Sequence, residues 1–296
     1  EALKRLKGDM ITVSYDDLTL TLRAGRSSVA LPCIDPTEYP DTNSQLGEPI
    51  GEVSGELLAR VLSVVAPSMS TDEARPNLVG TLVTARDSSI TAVSTDGYRL
   101  HTITEALALS DFEGLVPAPA VSALARLAKS SETLRLYARG ADALSVTTDT
   151  GEGEITVSIR LLAERFPPWE AVIPSAKGAI TLSLNVTEAL EALSIASLVG
   201  EGDKLARVEL AHEGAVWRVG ANGVAGEAQG EVSVEASGDA PTVYVASAYL
   251  LGALKVAQRH SERATVQITA PTAPLLITPE GAESVRLIVV PLRDRA

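Results

Sequence analysis

Short segments rich in Ala and Leu, with apolar residues at helical spacing, recur roughly every 60 residues along this chain, and such a period narrows the folds open to it. They are 2–7, Gly55–Val65, 119–129, 187–198 and Ser247–Gln258. Ser54, Thr187 and Ser247 stand where N-caps accept hydrogen bonds from the first free helical amides, and Pro119 suits a first helical turn. Alternating or β-branched runs follow each helix, separated by turn residues. The clearest are 11–13 and 18–22 around Asp16-Asp17, and 81–85 and 90–93 around Asp87-Ser88. Others are 134–137 with 144–147, 208–210 with 216–219, and 264–268 with 275–277.

Each unit is thus a helix with about three strands, and a further strand leads into the next helix. One such unit cannot bury its apolar face alone. Two side by side, strands in sheets and helices together, make an α+β domain of about 120 residues. The 296 residues therefore hold two full domains and half of a third, divided as 1–45, 46–174 and 175–296. The polar stretches 41–51 and 175–178 are the expected linkers. Aromatic residues are only 3% against 45% hydrophobic, so Val, Leu, Ile and Ala must build the core. The first residue is Glu1 rather than Met, and the sequence is expected to begin inside a longer product.

Several function classes lose support. No apolar run reaches the ~18–20 residues that span a bilayer, and the start lacks the pattern of a secretory signal. A cytoplasmic protein without membrane contact is expected. The single Cys33 forms no internal disulfide and reads as a small buried hydrophobe. His101, His212 and His260 fall in different units without metal-ligand spacing. Phosphate-loop, dinucleotide, nucleophile-elbow and zinc-protease patterns are absent, and Gly223-Val224-Ala225-Gly226 is too poor in glycine to cradle phosphate. No cofactor, metal or catalytic residue is expected. The net charge of −13 argues against ordinary nucleic-acid binding, which rests on Lys and Arg clusters.

Four passages, in order, resemble the bacterial DNA polymerase III beta subunit, the sliding clamp family. Arg26-Ser27-Ser28-Val29-Ala30-Leu31-Pro32 with Glu38-Tyr39-Pro40 resembles the end of its first domain. Glu73-Ala74-Arg75-Pro76-Asn77-Leu78-Val79-Gly80, then Ser94-Thr95-Asp96-Gly97-Tyr98-Arg99-Leu100, resembles its second. Arg165-Phe166-Pro167-Pro168-Trp169-Glu170-Ala171-Val172-Ile173-Pro174 is similar to the passage into the third, and Val289-Val290-Pro291-Leu292-Arg293 to its last strand. Taken alone, Asp96-Gly97 reads as a turn, Pro167-Pro168 as a linker and 288–292 as a core strand; their joint order carries the resemblance.

The resemblance implies the DNA-clamp fold, with paired helix-plus-strands units, sheets outside and helices lining a ring closed by a head-to-tail homodimer. It implies a non-enzymatic role on duplex DNA, with the polymerase III alpha subunit, other polymerases and the clamp loader as partners. These would dock through short Gln- and Leu-containing motifs in a groove between the second and third domains. Carried over to this chain, that groove comprises Leu78, Thr95, Gly97, Tyr98, Arg99, Leu100, Pro167, Val172, Tyr249, Thr272, Pro274, Ile288, Val290, Pro291, Leu292 and Arg293. Aliphatic residues and prolines suit a rigid apolar floor, with Tyr98 and the two arginines as polar tips.

A ring holds DNA by topology, so an acidic protein needs only a hole that does not repel phosphate. The basic residues on or beside the predicted helices or the matched motifs, Lys4, Arg5, Lys7, Arg60, Arg75, Arg126, Lys129, Lys255 and Arg259, are the DNA-facing candidates, with Arg263 close by. Segment 187–198 carries Glu188 and Glu191 instead. Leu198 and Val199, apolar without an evident need inside the domain, are the candidate dimer contact. Family members carry a further helix-plus-strands unit ahead of the position of Glu1. A shortened adaptor or inhibitor that binds peptides without closing a ring is the alternative. Ala171 and Asp294-Arg295-Ala296 depart from the family pattern at the groove's edges.

Overall fold

The structure, a computed structural model, describes residues 2–7, 10–38, 46–151, 153–175, 177–199, 207–223 and 226–293. Tyr39-Pro40, residues 41–45 of the first expected linker, residue 176 of the second, Val224-Ala225 and Asp294-Arg295-Ala296 lie outside the described residues. The chain divides into two compact units, Glu1–Gln45 and Leu46–Ala296.

In the first unit, helix α1 (Ala2–Arg5) precedes an antiparallel sheet of β1 (Thr12–Asp16), β2 (Thr19–Ala24) and β3 (Ser27–Pro32), in that spatial order. Asp17 and Leu18 turn the first hairpin with φ of 43° and 59°, one residue later than expected. Two successive positive φ values give the turn whose twist matches paired strands. Val13, Leu22 and Val29 face one another across the sheet, as do Tyr15, Leu20 and Leu31. Because side chains alternate along a strand, one face is apolar while the other carries Ser14, Thr21 and Ser28.

The second unit begins with β4 (Glu48–Ser54), α2 (Gly55–Val65), β5 (Gly80–Arg86), β6 (Ser89–Thr95), β7 (Arg99–Ala106), β8 (Phe112–Pro117) and α3 (Ala118–Lys129). It continues through β9 (Thr133–Arg139), β10 (Ala143–Asp149), β11 (Glu154–Arg160), β12 (Ile180–Asn185), α4 (Val186–Ala196), β13 (Arg207–Glu213), β14 (Val216–Gly223) and β15 (Gly226–Ala236). Last come β16 (Val243–Ala246), α5 (Ser247–Gln258), β17 (Arg263–Ile268), β18 (Leu275–Pro279) and β19 (Val285–Val289). From α2 onward each helix follows directly on a strand, as the repeat predicts. Ser54 caps α2 by accepting from the Leu57 amide at 3.2 Å. Two other expected caps are corrected. Helix α4 starts at Val186, so Asn185 is its cap, accepting from Thr187 and Glu188 at 2.9 and 3.1 Å. Ser247 is the first residue of α5, and Ala246 before it supplies no side-chain cap.

One antiparallel sheet runs β11-β10-β9-β4, and the other runs β16-β13-β14-β15-β12-β17-β18-β19-β7-β6-β5-β8. Helices α2 and α3 pack together, as do α4 and α5. Leu58, Leu62, Val121, Leu124, Leu134 and Phe112 belong to one core cluster, and Leu184, Leu193, Leu210, Trp217, Leu250 and Leu254 to another. Helix α4 approaches β15 at Gly230, where a Cβ would lie 2.5 Å from the Ala192 Cα, so any side chain there would push the helix off the sheet. The joint that matters for the site is β19 on β7, with Val289 opposite Arg99 and Ile288 opposite Leu100. It seats the last strand beside the Thr95–Leu100 turn, about 190 residues away in sequence, a pairing no local pattern encodes.

His101, opposite Leu287 in that joint, is fully buried beneath α2. Its Nδ1 lies 2.9 Å from the Val64 carbonyl and so carries the proton, while Nε2 is buried with no partner among the described residues. Burial, with a smaller contribution from the Arg99 charge, lowers its pKa from 6.5 to about 4, against the opposing pull of the Val64 carbonyl. Between those values the unfolded chain takes up a proton that the folded chain refuses. Stability therefore falls as pH drops from 6.5 to 4, by up to about 3 kcal/mol, and His101 adds no pH dependence above that window. In His101→Gln the loss of stability between pH 7 and pH 4.5, measured by urea unfolding, should be clearly smaller; an unchanged loss would assign the pH dependence to other groups.

Among the described residues no helix is long and apolar enough to cross a membrane.

Candidate functional site

The turn joining β6 to β7 is built by its own side chains. The Thr95 hydroxyl donates to the Arg99 carbonyl (2.7 Å) and accepts the Gly97 amide (3.0 Å). Asp96 Oδ1 accepts from the amides of Tyr98 and Arg99, both at 3.0 Å, and Oδ2 from Arg99 Nε at 2.9 Å. Gly97 sits at φ 91°, a conformation that favours glycine, and a Cβ there would come within 3.1 Å of Arg75 Nη1 and press on that side chain. Arg75 braces the turn by donating to the Asp96 carbonyl (3.0 Å) while its Nε pairs with Asp72 (2.9 Å). The Val290 amide donates to the Tyr98 carbonyl at 2.9 Å, which fixes the chain leaving β19 to the same turn.

Between these segments lies an open pocket of about 200 Å³. Leu78, Thr95, Gly97, Arg99, Leu100, Pro167, Val172, Ile288 and Val290, all named from the sequence, line it, together with Pro168 and Trp169. Its support is a cluster of Val93, Leu100, Leu115, Phe166, Leu276 and Ile288. Thr95 and Arg99 are its polar members, and both have the internal partners just described. What remains to meet a ligand is mainly apolar surface, the chemistry of a site that receives aliphatic or aromatic side chains and holds them by desolvation. Among the described residues no group of three or more His, Cys, Asp or Glu is placed to hold a metal ion.

The other residues expected in the groove lie beside the pocket or apart from it. Tyr98, 52% exposed, stacks on Tyr249 with ring centres 5.8 Å apart and planes at 10°. The Arg99 guanidinium lies 5.1 Å from the Tyr249 ring centre, and Gly252 leaves room for it, since a Cβ there would stand 2.9 Å from Arg99 Nη1. Burial first, then the Asp96 charge, raise the Tyr249 phenol above its ordinary pKa and keep it neutral. Thr272 and Pro274, between β17 and β18, are not among the lining residues, nor are Pro291, Leu292 and Arg293. The chain after Val290 turns toward β16. The Leu292 amide donates to the Tyr244 carbonyl (2.7 Å), and the Arg293 carbonyl accepts from Arg207 (3.0 Å). Pro168 and Trp169 also line the pocket, although the sequence reading of the 165–174 motif did not single them out; Pro168 caps the 3-10 turn Trp169–Val172, whose two ends both reach the pocket.

Of the DNA-facing candidates, Lys4, Arg5 and Lys7 are exposed on or after α1; Arg60 on α2, Arg126 and Lys129 on α3, and Lys255 and Arg259 on or after α5 are exposed too. Arg60 pairs with Glu105 at 3.1 Å, and Arg259 Nη1 donates to the Ser63 carbonyl at 3.4 Å. Arg75 lies between α2 and β5, on no α-helix, and braces the Thr95–Leu100 turn. Arg263 is corrected, since it sits in β17 and pairs with Glu235 and Glu280 at 3.0 and 3.5 Å. Of the dimer candidates, Leu198 is 80% exposed but Val199 is only 8% exposed. The chain turns inward after α4 and lays Val199 in the interior, so the expectation that it lacks a use within the domain is wrong. Ile195, 47% exposed in the last turn of α4, accompanies Leu198 instead.

Residues 52–168 match the family model of the DNA polymerase III beta subunit, central domain, and residues 170–293 that of its C-terminal domain. The beta sliding clamp of Pseudomonas putida is 25% identical over 295 residues, covering 98% of this chain and 78% of that protein. That of Caulobacter vibrioides is 28% identical over 294 residues, covering 96% and 76%. Among solved structures, the DNA polymerase III subunit beta of Pseudomonas aeruginosa superposes with a TM-score of 0.85 at 21% identity, over 99% of this chain and 80% of that one.

Proposed function

Because the chain belongs to the DNA polymerase III beta subunit family and has its clamp fold, we propose that it works as a sliding clamp, a processivity factor that encircles duplex DNA and tethers DNA polymerases to it. The observation that carries the tethering role is the apolar pocket between the Thr95–Leu100 turn, the Pro167–Val172 connection and the end of β19. It takes the tails of the polymerase III alpha subunit, other polymerases and the clamp loader. Residues 46–174 and 175–296 act as two clamp domains, and the pocket joins them. The protein is a non-catalytic, cytoplasmic subunit that assembles as a homodimer. Its hold on DNA is topological, while direct contact through Arg60, Arg126, Lys129, Lys255 and Arg259 is weak, non-specific and strongly salt-dependent.

A peptide ending in Leu-x-Phe tests the pocket. Burying two such side chains contributes ~3–6 kcal/mol at ~1.5–3 kcal/mol each, before the ordering cost of the peptide. Further contacts along the groove bring the expected Kd to micromolar. Calorimetric titration should show one site per chain with that affinity and a negative heat-capacity change from apolar burial. Absence of saturable binding at millimolar peptide would contradict the reading.

A further inference from the structure

The apolar pocket does not end at Pro167, Pro168 and Trp169. The same three residues also line a wider recess of about 580 Å³. Leu82, Leu115, Leu162 and Phe166 are among the recess residues, and all four belong to or pack against the cluster that supports the pocket. The charged residues around it are unevenly matched: Glu113, Asp142, Glu164 and Glu170 against Arg165 alone. Glu113 is paired with Arg86 at 3.0 Å. Asp142, Glu164 and Glu170 are exposed, and no basic side chain pairs with them among the described residues.

An apolar floor under an acidic rim is complementary to Lys and Arg, whose aliphatic stems cover apolar surface while their charged heads reach toward carboxylates. An acidic peptide segment would meet like charge there. We propose that the partner peptide held in the apolar pocket carries basic residues on the flank that crosses Pro167-Pro168-Trp169, and that this recess selects for them. The inference rests on the reading of the pocket as a peptide site. It adds a charge requirement that the pocket, with Arg99 neutralised by Asp96, does not impose.

Peptides sharing one Leu-x-Phe core, extended on either side by two Lys, two Gln or two Glu residues, are titrated into the full chain at low and high salt. One of the two Lys extensions should bind about five- to tenfold more tightly than its Gln counterpart at low salt, and the gap should narrow to about twofold at high salt, because exposed pairs are screened. The matching Glu extension should bind more weakly than Gln. In the variant Asp142→Asn/Glu164→Gln/Glu170→Gln, which alters only exposed side chains, the Lys preference should vanish while the Gln peptide keeps its affinity. Equal binding of all three charge types with the core intact would overturn the inference and leave the pocket standing. So would a Lys preference that survives in the variant. Failure of every peptide to bind would remove the pocket reading and this inference with it.

Discussion

Val172→Asp is expected to lower the affinity for a Leu-x-Phe peptide by about a hundredfold or more while leaving the fold intact. Val172 ends the 3-10 turn Trp169–Val172 and lines the pocket with Leu100, Ile288 and Val290, yet it is 40% exposed in the free protein. In the free protein a carboxylate there stays hydrated, so the melting temperature should move by only about 2 °C. On peptide binding the same carboxylate must lose water without gaining a partner, since the pocket's guanidinium, Arg99, is already paired with Asp96 at 2.9 Å. Val172→Ile, which keeps the apolar wall, should bind within about threefold of the parent. Calorimetry on both variants separates the cases, and undiminished binding by the aspartate variant would place the peptide elsewhere.

Dissociation of the proposed homodimer should follow from Ile195→Glu combined with Leu198→Glu. These two large apolar side chains lie three residues apart at the end of α4 and are both exposed, which makes a small hydrophobic patch that a partner surface can cover. Two carboxylates in a desolvated contact should raise the dimer dissociation constant by about a hundredfold or more, so that sedimentation at micromolar protein finds monomers. Val199 is left unchanged because its burial would mix folding with assembly. An unchanged sedimentation mass would mean that chains associate through another face.

What could be read from the sequence is what neighbouring residues decide among themselves. The Asp87-Ser88 hairpin, with φ of 50° and 56°, follows from turn chemistry between two β-branched runs. The helix Gly55–Val65 follows from Ser54 and the apolar spacing behind it, whereas the cap of α4 lies two residues earlier than expected, because Asn185 competes with Thr187 for that role. Residues placed by distant contacts were harder. Leu198 and Val199 look alike as sequence, and only the turn after α4 separates an exposed residue from a core one. Arg75 resembles any surface arginine until its contact with the Asp96 carbonyl is seen. The groove was legible through family resemblance, and most of its expected lining does surround one pocket. Thr272, Pro274 and the residues after Val290 do not, and Pro168 and Trp169 join it through a local turn that the linker-like Pro-Pro pattern hid. No local pattern marks His101 as buried, because its burial depends on β19 and α2 meeting over β7.

Retention on DNA tests the central claim most directly, since a topological link does not depend on affinity. The assembled protein, loaded onto nicked circular duplex by its cognate loader and separated by gel filtration in high salt, should stay with the circle. After one cut that makes the same DNA linear, it should slide off within the time of the column. Equal loss from circular and linear DNA, rising together with salt, would mean ordinary electrostatic binding and would contradict the assignment as a sliding clamp.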